Sequence, residues 1–455
     1  MENKPNFKKD MRFIDVFSLA LGAIIGWGCF VLPGTDFLPK AGPLGTFLGL
    51  SLGGIMVGIV GMSYGYLIEK FPESGGEFIY AYKNIGKKSG FVCGWFLLLA
   101  YISIIPLNTT AIALVVKYVF GSFLKWGYLY SVAGFEVYFG EVLVSIALLI
   151  IFAYINIKGV KSAGAFQSVL VVVLVSSVLI LTALMFFACP NASQNVAPAF
   201  PTGKTAISSI LAITAMAPWA FSGFDCIPQA TEEYNFPHKK ARILIFVSIA
   251  GAILMYACLT LVTAFSSPWE SLIERGELWP TGLSVKSSLG GFGMVLLVVA
   301  MLSAVISGIN GFYLSSSRLI YSMAKNDVLP RSLGKLTPSG TPKTAIIFVM
   351  LVSMVAPWFG RQVLSWIVDM CSVGIATAYL ITSFVAFRVA RERGERKVKA
   401  FGLLGAIVSV SFLVILLVPG MPGFLSKESL ISLGAWCVFG VCFYMLTARQ
   451  AKKQD

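Results

Sequence analysis

The backbone of residues 22–30, with the sequence GAIIGWGCF, is the first candidate for chemistry in this chain. The stretch lies in a long apolar run, yet Gly26 and Gly28 flank one bulky residue, and each opposes a regular helix by up to about 1 kcal/mol. In hydrocarbon, interrupted backbone is tolerated only where it is buried in protein or lines a watery cavity. Freed N–H groups attract anions and freed carbonyl groups attract cations, so this backbone predicts a ligand site. The alternative is close helix packing through Gly22 and Gly26.

A second interrupted segment covers residues 217–228, with the sequence APWAFSGFDCIP. It has proline near both ends, Gly223 in the middle and the carboxylate of Asp225 inside an apolar run. The order glycine, aromatic, any residue, cysteine occurs at 26–29 and again at 223–226. Matching interruptions in two halves of a membrane protein mark a ligand site, so we interpret the segments as a pair. Three readings of Asp225 stay open: a ligand for a cationic group, a proton carrier, or a helix cap that faces a water-filled vestibule.

The composition places both segments in a membrane protein. The chain has 455 residues, 57% hydrophobic and 12% charged, with a mean hydropathy of +0.83, whereas soluble chains are about 45–50% apolar and about 25% charged. Eight cysteines fall mostly in apolar runs without a CxxC pair, and His238 is the single histidine. This pattern argues against a disulfide framework, a metal site and an enzyme. Without a GxxxxGK(S/T) motif, ATP-driven pumping is not expected either.

Apolar runs of about 20 residues, the length that crosses a bilayer, recur along the chain. The twelve predicted spans are at about 14–38, 43–69, 89–119, 139–158, 164–188, 206–230, 241–266, 290–323, 344–360, 362–389, 401–419 and 428–447. Of the 35 Lys and Arg residues, 27 fall on segments that share a side with the N-terminus. Cytoplasmic loops are enriched in these residues, so both termini are predicted to be cytoplasmic, in a multi-pass protein of the inner (cytoplasmic) cell membrane. The net charge of +14 then reflects topology and does not indicate a nucleic acid partner.

The paired interruptions fall in the first and sixth predicted spans, which enter the bilayer from opposite sides. The two halves would therefore form an inverted repeat. We predict one transmembrane domain over residues 1–455. Its parts would be a first repeat at about 14–188, a second repeat at about 206–389 and two peripheral helices at about 401–447.

Five motifs resemble those of the amino acid–polyamine–organocation (APC) permeases, in order and over nearly the full length of the chain. They are GAIIGWGCF at 22–30, PESGGEF at 72–78, NIKGVKS at 156–162, FSGFD at 221–225 followed by Glu232 and Glu233, and RLIYSMAKND at 318–327 followed by LP. The resemblance implies an all-α integral membrane fold with twelve transmembrane helices. These would form a 5+5 inverted repeat of the LeuT-like type, with discontinuous helices 1 and 6, plus two peripheral helices. It also implies alternating access for amino acids or amines.

The resemblance implies a substrate site at the paired interruptions. The implied substrate-binding residues are Ile24, Gly26, Trp27, Gly28, Trp219, Phe221, Ser222, Phe312, Tyr101 and Ser372. Backbone N–H groups of 26–28 would receive a carboxylate, and the carbonyl groups of Ile24, Trp219 and Ser222 would receive an ammonium group. The Trp219 ring would close over bound substrate, which gives Trp219 and Asp225 a coupling or gating role.

Trp27 departs from the family pattern, which has a small residue such as Ser, Ala or Thr at this place. Two alternatives follow. Either the indole ring turns away and only the backbone N–H is used, or the ring narrows the pocket and favours a small substrate.

Ion coupling has several alternatives. Some APC relatives have a lysine inside the fifth span that acts in place of sodium; here no lysine lies between Lys161 and Lys204, and Leu174 stands near that place. A sodium site needs oxygen ligands. The candidate set is the carbonyl groups of Gly22 and Ile25 with the hydroxyl groups of Ser303 and Ser307. The serines could instead bond to their own helix, the coupled ion could be a proton, or exchange could need no ion; no other cofactor is expected.

Two charged runs are expected at the surface. Glu232 and Glu233 stand close in sequence to Lys239, Lys240 and Arg242, which favours a cluster of surface ion pairs. The basic run at 388–399 is expected in a solvated cytoplasmic loop.

The sequence therefore predicts a secondary transporter, a symporter or an exchanger, that moves a small amino acid or a related amine by alternating access. Its partners would be the small-molecule substrate and the lipid bilayer. The alternatives are a polyamine or organic amine permease, a membrane sensor that binds an amino acid without moving it, and a channel. A channel would need a continuous polar pore, and few predicted spans carry polar stripes.

Overall fold

The computed structural model describes residues 7, 9–132, 135–158, 160–277, 279–359 and 363–451. Gly159 of the motif at 156–162 lies outside these ranges, and so do four of the lysines counted on the side of the N-terminus: Lys4, Lys8, Lys452 and Lys453. The predicted ends of two spans, residues 360 and 362, lie outside them as well.

Helices account for nearly all regular structure in these ranges. The α-helices are α1 (Phe13–Ile24), α2 (Gly28–Leu32), α3 (Leu38–Lys70), α4 (Gly76–Asn84), α5 (Lys87–Phe120), α6 (Phe139–Lys158), α7 (Val160–Ala188), α8 (Ala192–Asn195), α9 (Ala206–Thr214), α10 (Ala217–Ala220), α11 (Cys226–Gln229), α12 (Ala241–Ala264), α13 (Trp269–Glu274), α14 (Pro280–Lys325), α15 (Lys343–Ser353), α16 (Val363–Glu392), α17 (Arg396–Leu417) and α18 (Lys427–Ala451). A π-helical turn at Pro33–Phe37 joins α2 to α3. Short 3-10 helices lie at Gly121–Leu124, Thr231–Glu233, His238–Lys240, Arg331–Gly334 and Ala356–Phe359.

Nine helices of the described chain are long and apolar enough to cross a membrane, and Phe13–Ile24 and Lys343–Phe359 are apolar but shorter. The all-helical membrane architecture is therefore confirmed. The first of the nine runs from Gly28 to Lys70. It contains the second part of the first predicted span and the whole second predicted span, and it bends at Gly42, where φ is 66°. The sixth predicted span is divided into α9, α10 and α11.

Two local features differ from the sequence prediction. Helix α14 begins at Pro280, ten residues before the predicted start, and bends at Gly290, where φ is 59°. A β-hairpin of β1 (Tyr128–Val132) and β2 (Phe135–Tyr138) follows α5. Both strands lie in the loop between the predicted spans at 89–119 and 139–158.

Small residues on α3 bring this helix close to the divided span. A Cβ atom at Gly53 would lie 2.4 Å from Cβ of Ala217, and one at Gly49 would lie 2.7 Å from Cβ of Ile213. On the same helix, a Cβ atom at Gly54 would lie 2.6 Å from the end of Ile253 of α12. These contacts hold α9 and α10 against α3.

The N-terminal segment closes one end of the bundle, which we call the N-side. The backbone N–H of Met11 donates to the carbonyl of Glu233 at 2.9 Å, and the N–H of Asn235 donates to the carbonyl of Met11 at 3.0 Å. The Phe7 ring lies 5.2 Å from the Tyr321 ring, so the segment also contacts the end of α14. Helix α4 and the loop at 230–240 lie at the same end.

The predicted surface cluster after the second interruption is wrong. Glu233 is buried and pairs with the buried Arg318 at 2.8 Å, while Glu232 accepts a hydrogen bond from the backbone N–H of Ser74. Arg242 pairs with Glu69 of α3 instead. The sequence neighbours were misleading because the charges pair between segments that the fold brings together.

Candidate functional site

The first interruption separates α1 from α2. Helix α1 ends at Ile24, Ile25 leaves helical geometry with φ −87° and ψ 84°, and α2 begins at Gly28. The N–H of Gly26 donates to the carbonyl of Ile24 at 3.1 Å. The N–H of Trp27 donates to Oδ1 of Asn108 on α5 at 3.3 Å. Two of the three N–H groups predicted to receive a carboxylate thus have partners within the protein.

The second interruption separates α10 from α11. Helix α10 ends at Ala220 and α11 begins at Cys226, with Gly223 between them at φ 133°. The N–H of Gly223 donates to Oδ1 of Asp225 at 2.6 Å, so the carboxylate stabilises the open backbone from within. Asp225 is fully buried, so of its three readings the cap that faces a vestibule has the least support from this structure.

The two interruptions are in contact. A Cβ atom at Gly223 would lie 2.4 Å from the backbone nitrogen of Ile24. Likewise, a Cβ atom at Gly28 would lie 2.2 Å from Cη2 of Trp219, so the Trp219 ring covers the start of α2. Only glycine permits this approach of one chain to the other.

Aromatic rings enclose this contact. The Trp27 and Trp219 ring centroids are 6.1 Å apart and both side chains are buried. The Tyr101 hydroxyl donates to the carbonyl of Asp225 at 3.0 Å, and the Tyr101 ring lies 5.6 Å from that of Phe312. The Tyr101 hydroxyl therefore lies beside the second interruption, and the Phe312 ring lies next to the Tyr101 ring.

Two buried polar atoms at the interruptions have no hydrogen-bond partner among the described residues: Nε1 of Trp27 and Oγ of Ser222. Oδ2 of Asp225 shares this condition. Buried polar groups are nearly always hydrogen-bonded, so unpaired ones at an opened helix indicate a place where a ligand is received.

Two predicted residues lie apart from the rest. Phe221 packs toward α12, with its ring 6.5 Å from that of Tyr256. Ser372 of α16 bonds to the carbonyl of Val368 in its own helix at 3.0 Å. It lines a cavity of about 530 Å³ together with Met216 and Asp369. No described contact brings Ser372 to the first interruption.

The candidate cation site lies where α1, α7 and α14 meet. A Cβ atom at Gly22 would lie 1.8 Å from Oγ of Ser307, and 2.9 Å from Nε2 of Gln167 on α7. That Nε2 donates to Oγ of Ser307 at 2.5 Å, and to the carbonyl groups of Ser307 and Ser18. Ser303 is buried one turn earlier on α14. An N–H donor therefore lies beside two members of the predicted oxygen set, Gly22 and Ser307.

Sequence reasoning missed the amides of this region. Asn108 supports the first interruption, and Gln167 is the polar residue of α7 that reaches Gly22, beside Val171 and not Leu174. Gln167 continues a buried chain, since its Oε1 accepts from Asn310, whose Oδ1 accepts from Asn156. A signal existed, because amides inside apolar spans usually bond between helices.

The chain is similar to a known protein family and to several known proteins. A family model described as amino acid permease matches residues 11–443. The chain belongs to this family. The resemblance to APC permeases is thereby confirmed, and the permease is an amino acid transporter of the membrane.

Its relatives are distant but cover most of its length. The permease is 24% identical over 462 residues to the branched-chain amino acid permease BcaP of Lactococcus lactis subsp. cremoris (strain MG1363), covering 97% of this chain and 94% of the relative. It is 27% identical over 406 residues to the aspartate-proton symporter of Bacillus subtilis (strain 168), covering 86% and 75%. The gamma-aminobutyric acid permease of the same organism is 25% identical over 376 residues, covering 78% and 73%.

Proposed function

We propose that this permease is a secondary active transporter that moves a small amino acid across the cytoplasmic membrane by alternating access around the two interruptions. The proposal includes twelve spans arranged as a 5+5 inverted repeat of the LeuT-like type with two peripheral helices. It also includes cytoplasmic termini, which make the N-side the cytoplasmic end. The bias of Lys and Arg between spans supports this orientation.

One observation carries the proposal. The two interruptions touch through Gly28 and Gly223, and beside them the buried Nε1 of Trp27 and Oγ of Ser222 have no partner among the described residues. A zwitterion provides the acceptor and the donor that such atoms require. The substrate carboxylate would bind at the start of α2 and replace Oδ1 of Asn108 as the acceptor of the Trp27 N–H. The ammonium group of the substrate would approach the carbonyl groups of Ile24 and Ser222.

The position of Trp27 supports a small substrate. Its ring faces Trp219 at 6.1 Å, beside the start of α2, so the indole takes up space next to the interruptions. Of the two sequence alternatives, this arrangement favours the ring that narrows the pocket. Relatives are described as permeases for branched-chain amino acids, aspartate and gamma-aminobutyric acid, so the family's substrates vary in side-chain size and charge, and we place this chain at the small end.

For coupling, we propose that the predicted sodium position does not bind sodium in this permease. Nε2 of Gln167 donates to Ser307 and reaches Gly22, where a cation would require oxygen atoms. The neutral amide thus takes over the structural role of a cation between α1 and α14. A proton, or exchange without an ion, then drives transport; a relative named as a proton symporter agrees with the first option.

A binding screen followed by uptake tests the function. Purified full-length protein is heated with each of a panel of amino acids and amines, since a ligand of the native state raises its stability by about 2.7 kcal/mol at a hundredfold excess over Kd. We expect glycine-sized to valine-sized amino acids to raise the melting temperature. Those that do should then be taken up into proteoliposomes at equal rates in sodium and in choline buffers.

The outcomes separate the alternatives. Binding without uptake would identify a sensor, and stabilisation by polyamines alone would identify an amine permease. Uptake that requires sodium would contradict the role given to Gln167 while leaving the amino acid function intact.

A further inference from the structure

A second carboxylate lies beside Asp225. Glu77 belongs to α4, the short helix between the spans α3 and α5, and is fully buried. Its Oε2 accepts a hydrogen bond from Nε2 of Gln229 at 2.7 Å. Its Oε1 has no partner among the described residues, nor has Oε1 of Gln229.

Glu77 and Asp225 both adjoin α11: Asp225 directly precedes this helix, and Glu77 bonds to Gln229, its last residue, which lies one turn from Asp225 on the same face. We treat the two as one carboxylate pair, which agrees with the electrostatic interaction between them. Each member has one oxygen bound by an N–H group, from Gln229 and from the backbone of Gly223. Each has a second oxygen that is buried and has no partner in the described part of the chain. The pair therefore joins the second interruption to α4, which lies at the N-side.

The surroundings of the pair are neutral. Helix α4 packs against α5, α11, α14 and α16. The titratable groups that face the pair from these elements, from α3 and from α4 itself are Tyr64, Tyr80, Cys93, Tyr101, Cys226 and Tyr379. The hydroxyl groups of Tyr64 and Tyr379 are buried and without a partner among the described residues.

None of the described Lys, Arg or His side chains forms an ion pair with either carboxylate. The basic groups of the N-side are engaged elsewhere: Arg318 pairs with Glu233, Lys83 with Glu73 and Arg242 with Glu69. Two ionised carboxylates in such a place would be like charges in a medium of low dielectric constant, which proteins avoid by retaining a proton.

The titration of Glu77 agrees with this geometry. Burial raises the pKa of Glu77, and the nearby charge of Asp225 raises that pKa further. When two carboxylates interact strongly, their protons are lost in two steps that belong to the pair as a whole.

We propose that Glu77 and Asp225 form a proton-binding site that holds one proton between two carboxylates while the N-side is closed. With the N-side closed, the site takes one proton from the outer side to give one carboxyl and one carboxylate. Opening of the N-side admits water and lets the carboxyl ionise, which releases that proton to the cytoplasm. The role in coupling depends on the proposed transport function, whereas proton retention in the closed state does not.

Stability as a function of pH tests the site without transport. Unfolded carboxyl groups ionise above about pH 4.3, but the closed fold keeps one proton. The unfolding equilibrium of the wild type should therefore shift toward the unfolded state by up to tenfold per pH unit above that value. Glu77→Gln leaves a single buried carboxyl with no like charge near it, so the part of this dependence that comes from the pair should disappear.

Matched variants make the result decisive. Glu73→Gln removes an exposed glutamate four residues away that pairs with Lys83 and should keep the wild-type dependence. Asp225→Asn should lose it, and provides the same test if Glu77→Gln does not fold. An unchanged dependence in both Glu77→Gln and Asp225→Asn would overturn the proposal. Stabilisation by sodium at constant pH that both variants abolish would also overturn it, in favour of a cation site.

Uptake then tests the coupling role separately. In proteoliposomes, an imposed pH gradient should drive uptake by the wild type and by Glu73→Gln, whereas Glu77→Gln should retain exchange between internal and external substrate without responding to the gradient. If neither the wild type nor any variant transports substrate, the proposed transport function is contradicted. The pH dependence of stability still tests the proton-binding site in that case. Gradient-driven uptake by Glu77→Gln would overturn coupling through the pair.

Discussion

At Trp27 the backbone and the side chain have separate roles. Its backbone N–H is held by Asn108, and its ring faces Trp219 at 6.1 Å. Any residue other than proline could supply this backbone N–H. The size of the indole is therefore what distinguishes Trp27 from the small residue that the family pattern has at this place. Selectivity for substrate size is the property that this difference should affect.

Replacing Trp27 with alanine should widen the range of substrates. Each methylene that a hydrophobic pocket accepts or rejects changes the free energy of recognition by about 1–3 kcal/mol. Trp27→Ala should therefore improve the affinity for leucine-sized amino acids about tenfold or more relative to alanine. Competition against a labelled small substrate in proteoliposomes measures this ratio. Trp126→Ala, which removes a half-exposed indole far from the interruptions in sequence, should leave the ratio unchanged; a constant ratio in Trp27→Ala would show that the ring does not limit the pocket.

At the scale of elements, the two helix interruptions and their pairing were predictable from the sequence. The side chains that hold the interrupted segments in place were not. Glycine and proline in an apolar run directly oppose a helix, so the ends of α1 and α10 could be placed from Gly26 and Gly223. Asn108 and Gln167 are single amides with no periodic pattern. Their role depends on which residue of another helix they reach, and this is decided by packing between segments distant in the chain.

Gly223→Ala tests the contact between the interrupted helices. The new methyl group would meet the backbone of Ile24 at 2.4 Å, and φ of 133° disfavours a residue with a side chain. We expect substrate affinity to fall at least tenfold and the free energy of unfolding to fall by about 1–3 kcal/mol. Ligand-dependent thermal shift measures both quantities.

Gly434→Ala is the control for this substitution, because Gly434 lies within α18 with no neighbouring atom within 4 Å of its added Cβ. It should leave binding unchanged and stabilise the helix by up to about 1 kcal/mol. Normal binding by Gly223→Ala would mean that the two interruptions need not touch for the site to form.

For the whole molecule, the N-side is a layer of contacts between segments that are remote in sequence. Phe7 lies over the Arg318 guanidinium at 5.4 Å, Met11 pairs with Glu233 and Asn235, and the buried Arg318 joins the loop after α11 to the end of α14. Charge counting between predicted spans could place these residues on one side. It could not show that Glu233 and Arg318 are partners, because Glu233 was expected in a surface cluster and Arg318 lies within the predicted span at 290–323.

Arg318→Met should be strongly destabilising. It leaves the Glu233 carboxylate buried without its partner, which costs about 3–5 kcal/mol. Arg388→Met removes an arginine of an exposed pair with Glu392 and should change the free energy of unfolding by less than about 1 kcal/mol. Thermal unfolding of the two variants in the same detergent compares them directly. Equal stabilities would contradict a structural role for the buried pair.

The contact between Ile24 and Gly223 also has a consequence for biosynthesis. Chains fold from the N-terminus while they are being made, so α1 and α2 enter the bilayer about two hundred residues before Gly223 exists. During that interval the opened backbone at Trp27 lacks its final neighbour, and unpaired N–H groups in lipid are costly. Asn108 on α5 is synthesised much earlier and bonds to the N–H of Trp27. It therefore serves as an early partner that protects the first interruption until the second half of the permease arrives.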